Sequence, residues 1–137
     1  MKRIMNVIVV LFFVFGASSS ANAIVANTEN KAEVKQVDVY YFHGDRRCVT
    51  CKAVGAVAKS LVENRYGENA KVNFIEINID EAGNEEIVEK FKVSGSGLLV
   101  YNGEKPLDIT AYAFQYAIVN PDKLKNKLIQ LIDRNLN

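Results

Sequence analysis

The sequence predicts an α/β domain with a mixed four-stranded sheet and helices on both faces. Short β-branched and aromatic segments alternate with segments whose apolar residues recur at helical spacing. The first three predicted strands are separated by helices, so they should be parallel or joined by crossover connections. The last two predicted strands are joined by an Asn-Gly step, which is typical of a hairpin. The predicted order of elements is therefore β-α-β-α-β-β-α.

Residues 1–23 are typical of a secretory signal peptide. Lys2 and Arg3 give a positive start, an apolar run covers residues 7–15, and Ala-Asn-Ala at residues 21–23 provides a cleavage site. The apolar run is short for a membrane span, and an uncleaved N-terminal anchor is the alternative. We therefore expect an exported protein, in the periplasm or another extracytoplasmic compartment.

The rest of the chain divides into a polar tether over residues 24–35 and one folded domain over residues 36–137. A domain of this size can bury a hydrophobic core without a disulfide to hold it together. With 17 Lys and Arg against 16 Asp and Glu, the chain lacks the basic excess of a nucleic-acid-binding protein. We expect a monomer with no nucleic-acid partner.

The first half of the domain contains two predicted strands and a helix. Val37 to Phe42 is β-branched and aromatic, which predicts a buried strand. Arg46 to Tyr66 predicts a helix, because its apolar residues recur at helical spacing and Gly67 follows it. Lys71 to Asp80 predicts a second strand, because isoleucines alternate there with polar residues.

The second half contains two further strands and two helices. A short helix is predicted from about Asn84 to Phe91, and a third strand from Gly97 to Tyr101. Asn102-Gly103 predicts a type I′ turn, in which both central residues have positive φ. Pro106 to about Tyr112 predicts the fourth strand. Asn120-Pro121 predicts the capped start of the last helix. The apolar stripe of that helix consists of Leu124, Leu128, Leu131 and Ile132.

The two cysteines of the chain, Cys48 and Cys51, follow a predicted strand and open a predicted helix. The attacking species in disulfide exchange is the thiolate, and a helix N-terminus favours an anion. Arg46 and Arg47 add positive charge beside Cys48. Cys48 lies at the more exposed end of the helix, so we predict that it attacks the partner and that Cys51 resolves the mixed disulfide. Such a pair needs no cofactor beyond its own disulfide.

Two other uses of the cysteines compete with this interpretation. A structural disulfide across so short a loop would stabilise the fold by only about 2 kcal/mol in the chain-entropy model. A metal site would need more ligands, and His43, the only histidine, would complete a Cys48, Cys51 and His43 set for copper(I) or zinc. We expect no metal and keep a metal-binding or metal-delivery module as the alternative.

The segment YYFHGDRRCVTCK, at residues 40–52, resembles the strand–CxxC–helix core of thioredoxin-like proteins. Residues 74–93 and 98–104 look like the thioredoxin strand, helix and Asn-Gly turn that follow. The resemblance covers about residues 36–135 and implies a thioredoxin-like fold. It also implies a thiol–disulfide oxidoreductase that acts on protein or small-molecule disulfides. The motif HGxRRCxTCK, at residues 43–52, is similar to that of small exported CxxC proteins described as subunits associated with nitrophenyl-compound nitroreductase.

Two departures from the thioredoxin pattern bear on mechanism. Thioredoxins place a cis-proline opposite the CxxC, where this chain has Ser96-Gly97. The resemblance makes the loop there, which consists of Ser94, Gly95, Ser96 and Gly97, the expected partner-binding loop. Thioredoxins also carry a buried Asp where this chain has Phe42. Another group must then take up the Cys51 proton, and His43 is the candidate acid–base residue.

The resemblance leaves the partner open. Exported proteins of this type exchange electrons with a membrane donor or acceptor, so such a partner is a further expectation. The direction of electron flow is not readable from the sequence. A non-catalytic partner subunit that keeps the fold for protein contact is the remaining alternative.

We predict that the Cys48 thiol has a pKa below that of an ordinary cysteine. The reason is the combined effect of the helix N-terminus and the arginines at 46 and 47. Titration of the reduced protein, followed by the rate of thiol alkylation, measures this pKa. An ordinary cysteine value near 8.5 would contradict the prediction.

Overall fold

A computed structural model describes residues 35–137 of the chain. The predicted signal peptide and residues 24–34 of the predicted tether lie outside this range. The strands and helices are β1 (Val37–His43), α1 (Val49–Tyr66), β2 (Val72–Asn78), α2 (Glu85–Phe91), β3 (Gly97–Tyr101), β4 (Leu107–Asp108), α3 (Thr110–Tyr116) and α4 (Pro121–Leu136). Within residues 35–137, no helix has the length and apolar character needed to span a bilayer.

The sheet is mixed and has the strand order β2-β1-β3-β4. β1 pairs in parallel with β2, and the helical crossover α1 connects them, as expected. β3 follows a helix as well, but it runs antiparallel to β1. β4 is antiparallel to β3. β1 is an inner strand, and its carboxyl end leads into the loop before Cys48.

One face of the sheet is covered by α1, α3 and α4. Alternate residues of β1, namely Val37, Val39 and Tyr41, are fully buried on this face. The predicted stripe of α4 packs onto the same core, and all four of its residues are buried. Asn120 caps α4 through its side-chain oxygen, which accepts from the Lys123 N–H at 3.1 Å, as predicted.

The other face is covered by α2. Tyr40 and Phe42 of β1 pack there against Phe91 and Leu99. The ring centroids of Tyr40 and Phe91 lie 4.8 Å apart. Helices therefore lie on both faces of the sheet, and the predicted fold class is confirmed.

Two predicted boundaries are wrong. α1 begins at Val49 rather than Arg46, because Cys48 has extended backbone angles and acts as the N-cap. β4 ends at Asp108, and residues 110–116 form α3 rather than the remainder of a strand. Buried residues at 109, 113 and 117 recur every fourth position, which is a helical period.

The connection between β3 and β4 also differs from the predicted hairpin. Gly103 has a positive φ of 93°, but Asn102 does not share it, so the turn is not type I′. The Asn102 side-chain oxygen instead accepts from the Glu104 N–H at 3.2 Å. The first β3–β4 pair, Val100 with Leu107, leaves a longer loop than a two-residue hairpin allows.

We expect Gly55→Ala to destabilise the domain. A Cβ at this position of α1 would lie 2.5 Å from Cε1 of Tyr41, and that ring is fully buried. Overpacking of this kind costs about 1–3 kcal/mol, which exceeds the helix propensity that alanine adds. Denaturant unfolding measures the change. Asn64→Ala, on the exposed side of α1, is the control. Equal stability of Gly55→Ala and the unaltered protein would contradict the expectation.

Candidate functional site

Cys48 and Cys51 form a disulfide at the N-terminus of α1, with their Cα atoms 5.0 Å apart. β1 ends at His43, and a short loop carries the chain to Cys48. The Cys48 Sγ accepts a hydrogen bond from the Cys51 N–H at 3.0 Å. One of the otherwise unpaired N–H groups of the helix start thus points at this sulfur.

The two cysteines differ in exposure. Cys48 is exposed, whereas Cys51 is buried with 7% of its surface accessible. Val49, between them, is 76% exposed. The Cys48 sulfur therefore belongs to a residue that solvent reaches, and Cys51 lies behind it.

The Tyr41 side chain packs between the sheet and the first turns of α1. Its hydroxyl donates to the Cys51 carbonyl oxygen at 2.6 Å, and both groups are buried. Its ring occupies the space that a side chain at Gly55 would need. Burial raises the pKa of Tyr41 above that of an ordinary tyrosine, so the hydroxyl stays a donor at neutral pH. The sequence does not single out Tyr41, because an aromatic residue of a buried strand is ordinarily part of the core.

Arg47 turns away from the helix towards the sheet. Its Nη2 lies 2.7 Å from Oε1 of Glu76 on β2. Its Nε donates to Nδ1 of His43 at 3.1 Å. Arg46 and Arg47 are both exposed. Of the two arginines predicted to act together on Cys48, Arg47 is the one that Glu76 and His43 engage.

His43 is buried, with 5% of its surface accessible. Its Nε2 lies 3.2 Å from the Glu76 Oε1, and its Nδ1 lies 2.9 Å from the Gly44 carbonyl oxygen. These contacts and the Arg47 guanidinium engage both ring nitrogens. A metal bound by His43 together with Cys48 and Cys51 would have to break them. Within residues 35–137, no group of three or more His, Cys, Asp or Glu is arranged to hold a metal ion.

The loop predicted to face the cysteines contributes Ser96. Its hydroxyl donates to the Cys51 Sγ at 3.7 Å, so the loop lies against the buried sulfur. Gly97 is buried at the start of β3, where a Cβ would lie 3.1 Å from the Thr110 Oγ1. Ser94 is exposed, and Gly95 is partly buried. Every peptide bond described, including those of this loop, is trans.

Phe42 and His43 point to opposite faces of the sheet. Phe42 is fully buried beneath α2, away from the cysteines. Tyr41 lies on the α1 face of β1, and Glu76 pairs with it in the register of β1 and β2. The polar side chains that the sheet contributes on the α1 face at this end are therefore those of Tyr41, His43 and Glu76. Strand alternation could have indicated Glu76, which is an acidic residue between two isoleucines, but not its partners.

No family model and no curated protein sequence matches this chain. Among solved structures, the chain is similar to one described as a malarial protein. The two share 19% identity with a TM-score of 0.51, over 75% of this chain and 100% of the other. Identity at this level shows a shared fold alone.

Two further solved structures are also similar. Trxlp from Edwardsiella tarda is 16% identical, with a TM-score of 0.49, over 71% of this chain and 84% of the other. The germline-specific thioredoxin Deadhead from Drosophila melanogaster is 24% identical, with a TM-score of 0.49, over 73% of this chain and 85% of the other.

The architecture itself is that of a thioredoxin-like fold. The strand order is β2-β1-β3-β4, helices cover both faces, and a CxxC disulfide stands at the start of the first helix after a central parallel strand. The fold expected from the resemblance at residues 40–52 is therefore confirmed.

We expect Ser96→Ala to raise the pKa of the Cys51 thiol. In the reduced protein the Ser96 hydroxyl can donate to the Cys51 thiolate, and hydrogen bonds to charged groups favour the charged form. A shift of about half a pH unit or more is expected for a donor to a buried anion. Alkylation rates of Cys51 against pH, in a Cys48→Ser background, measure it. Ser60→Ala, on the exposed side of α1, is the control. An unchanged Cys51 pKa would show that the contact has no role in reactivity.

Proposed function

We propose that this protein is an exported thiol–disulfide oxidoreductase that exchanges electrons with protein or small-molecule disulfides through Cys48 and Cys51. One observation carries the proposal: an exposed sulfur at a helix N-terminus is bonded to a buried sulfur one turn further on. This arrangement separates the sulfur that attacks the partner disulfide from the sulfur that resolves the mixed disulfide.

The reaction consists of two successive thiol–disulfide exchanges. The Cys48 thiolate attacks one sulfur of a partner disulfide, a Cys48–partner disulfide forms, and the other partner sulfur leaves as a thiolate that takes up a proton. Cys51 loses its proton and attacks the Cys48 sulfur. The second partner sulfur then leaves as a thiolate and is protonated. Two electrons pass to the partner, and Cys48 and Cys51 end as a disulfide. The same steps in reverse oxidise a partner dithiol.

Three groups stabilise the thiolates in this scheme. The Cys51 N–H, 3.0 Å from the Cys48 sulfur, and the positive end of the α1 dipole favour the Cys48 thiolate. The Ser96 hydroxyl favours the Cys51 thiolate. The Cys51 proton passes to bulk water or to His43, which would have to give up one of its ring-nitrogen contacts to accept it. An exchange rate that His43→Ala leaves unchanged across neutral pH assigns the proton to water.

The partner docks, in this proposal, on the exposed surface around Cys48. Val49 offers apolar area there, and the Ser94, Gly95, Ser96 and Gly97 loop offers backbone groups beside Cys51. Because Arg46 is exposed next to Cys48, it favours a partner surface that carries acidic groups. A membrane protein that donates or accepts electrons fits the predicted export of the chain. Residues 43–52 resemble the small exported CxxC proteins described as subunits associated with nitrophenyl-compound nitroreductase. The proposal includes membership of this chain in that group.

The redox equilibrium of residues 24–137 in glutathione buffers tests the proposed function. Alkylation of free thiols reports the fraction of reduced protein at each buffer ratio. We expect a reversible two-electron couple between about −120 and −270 mV, the range of known exchange proteins. A value near the upper end identifies an oxidant, and one near the lower end a reductant.

Cys48→Ser and Cys51→Ser are the matched variants for this measurement. Cys51→Ser should trap a mixed disulfide with glutathione on Cys48, because the resolving sulfur is missing. Cys48→Ser should trap far less, because Cys51 is buried. The absence of a reversible couple in the unaltered protein would refute the proposed oxidoreductase, and zinc or copper(I) titration of the thiols would then test the metal alternative.

A further inference from the structure

Glu76 on β2 contacts the residue before Cys48 and the last residue of β1. Its Oε1 is 2.7 Å from Nη2 of Arg47 and 3.2 Å from Nε2 of His43. Arg47 is the residue immediately before Cys48, so its guanidinium is the nearest side-chain cation along the chain. One carboxylate on β2 thus holds the cation that the sequence would assign to the Cys48 thiolate.

This ion pair is partly shielded from solvent. The Glu76 and Arg47 side chains keep 35% and 34% of their surface accessible, and that of His43 keeps 6%. Charges at the edge of a buried region interact more strongly than fully exposed ones, because water screens them less. The position of Arg47 therefore depends on the charge of Glu76 as well as on its two contacts with the His43 ring.

The loop before Cys48 has a separate attachment to the last residue of β2 and to the turn that follows it. The Asp45 N–H donates to Oδ2 of Asp80 at 2.8 Å, and the Asn78 side chain donates to Oδ1 of Asp45 at 2.8 Å. These contacts hold the loop backbone whether or not Glu76 is charged. The Glu76 carboxylate therefore acts mainly on the Arg47 and His43 side chains.

We propose that Glu76 is a positioning residue that draws Arg47 towards β2 and so limits how far the Arg47 charge stabilises the Cys48 thiolate. This inference rests on the proposed function of the Cys48–Cys51 pair. A less stabilised thiolate makes the dithiol form less favourable, so Glu76 keeps the pair on the more reducing side of its range.

The effect on the equilibrium follows from the balanced reaction. The protein disulfide and two glutathione thiols give the protein dithiol and one glutathione disulfide, with two electrons transferred. A change that favours the Cys48 thiolate favours the reduced protein and makes the potential less negative. Neutralising Glu76 should have this effect, because it frees Arg47 and removes a negative charge.

Glu76→Gln tests the inference, because glutamine keeps the size of the side chain and an acceptor oxygen but removes the charge. We expect the Cys48 pKa to fall and the equilibrium constant with glutathione to shift about threefold or more towards the dithiol. Glu63→Gln is the matched control: Glu63 is an exposed carboxylate on α1 that pairs with Lys59. It should change neither value.

Arg47→Gln shows whether Glu76 acts through Arg47. Arg47→Gln alone should raise the Cys48 pKa, and in this background Glu76→Gln should lower it by much less than in the unaltered protein. An undiminished effect would overturn the positioning role, because Glu76 would then act on Cys48 directly. An unchanged or raised Cys48 pKa in Glu76→Gln would overturn the inference as well.

The measurements also separate this inference from the proposed function. The Cys48 pKa comes from the rate of iodoacetamide alkylation, which requires no reversible couple. The absence of a couple in the unaltered protein contradicts the oxidoreductase, whereas an intact couple that Glu76→Gln leaves unshifted contradicts only the role of Glu76. Circular dichroism confirms that each variant is folded. If Glu76→Gln does not fold, Arg47→Gln decides: a Cys48 pKa that does not rise overturns the inference.

Discussion

The contact between Tyr41 and the first two turns of α1 determines where both cysteines lie. The Tyr41 ring fills the space that a side chain at Gly55 would need, and the Tyr41 hydroxyl donates to the Cys51 carbonyl oxygen. This packing brings α1 against the central strand of the sheet. The exposed position of Cys48 and the buried position of Cys51 follow from it, since both are set by how the helix start sits on β1.

The charges around Cys48 are balanced rather than simply positive. A helix N-terminus and two arginines favour an anion, but Glu76 engages one of those arginines. In the proposed oxidoreductase, the reactivity of the thiol then depends on residues from β1, β2 and the loop between β1 and α1. Small substitutions on β2 would change the redox potential of the pair while leaving the cysteines and the fold in place.

Most of the fold was predictable, because its elements carry strong periodic patterns. β1, β2 and α4 match their predicted ranges closely. β2 alternates with a period of two and α4 has a helical period, whereas β1 is a continuous run of β-branched and aromatic residues. α3 was missed because residues 107–112 are rich in β-branched and apolar side chains, and the prediction continued the strand through them. Long-range contacts end that strand: the Thr110 Oγ1 accepts from the Leu98 N–H at 3.0 Å.

The sequence alone determined the fold class, the two cysteines, their order of exposure and the loop that faces them. The fold class and the order of exposure follow from local spacing and from motif order, which do not depend on distant parts of the chain. The loop was expected from the resemblance to thioredoxin-like proteins. Only the tertiary structure decided that Arg47 turns to Glu76, that His43 is buried, and that Tyr41 rather than Phe42 lies beneath Cys51. Those facts depend on the register between β1 and β2 and on the side of the sheet that α1 covers, and residues many positions apart fix both.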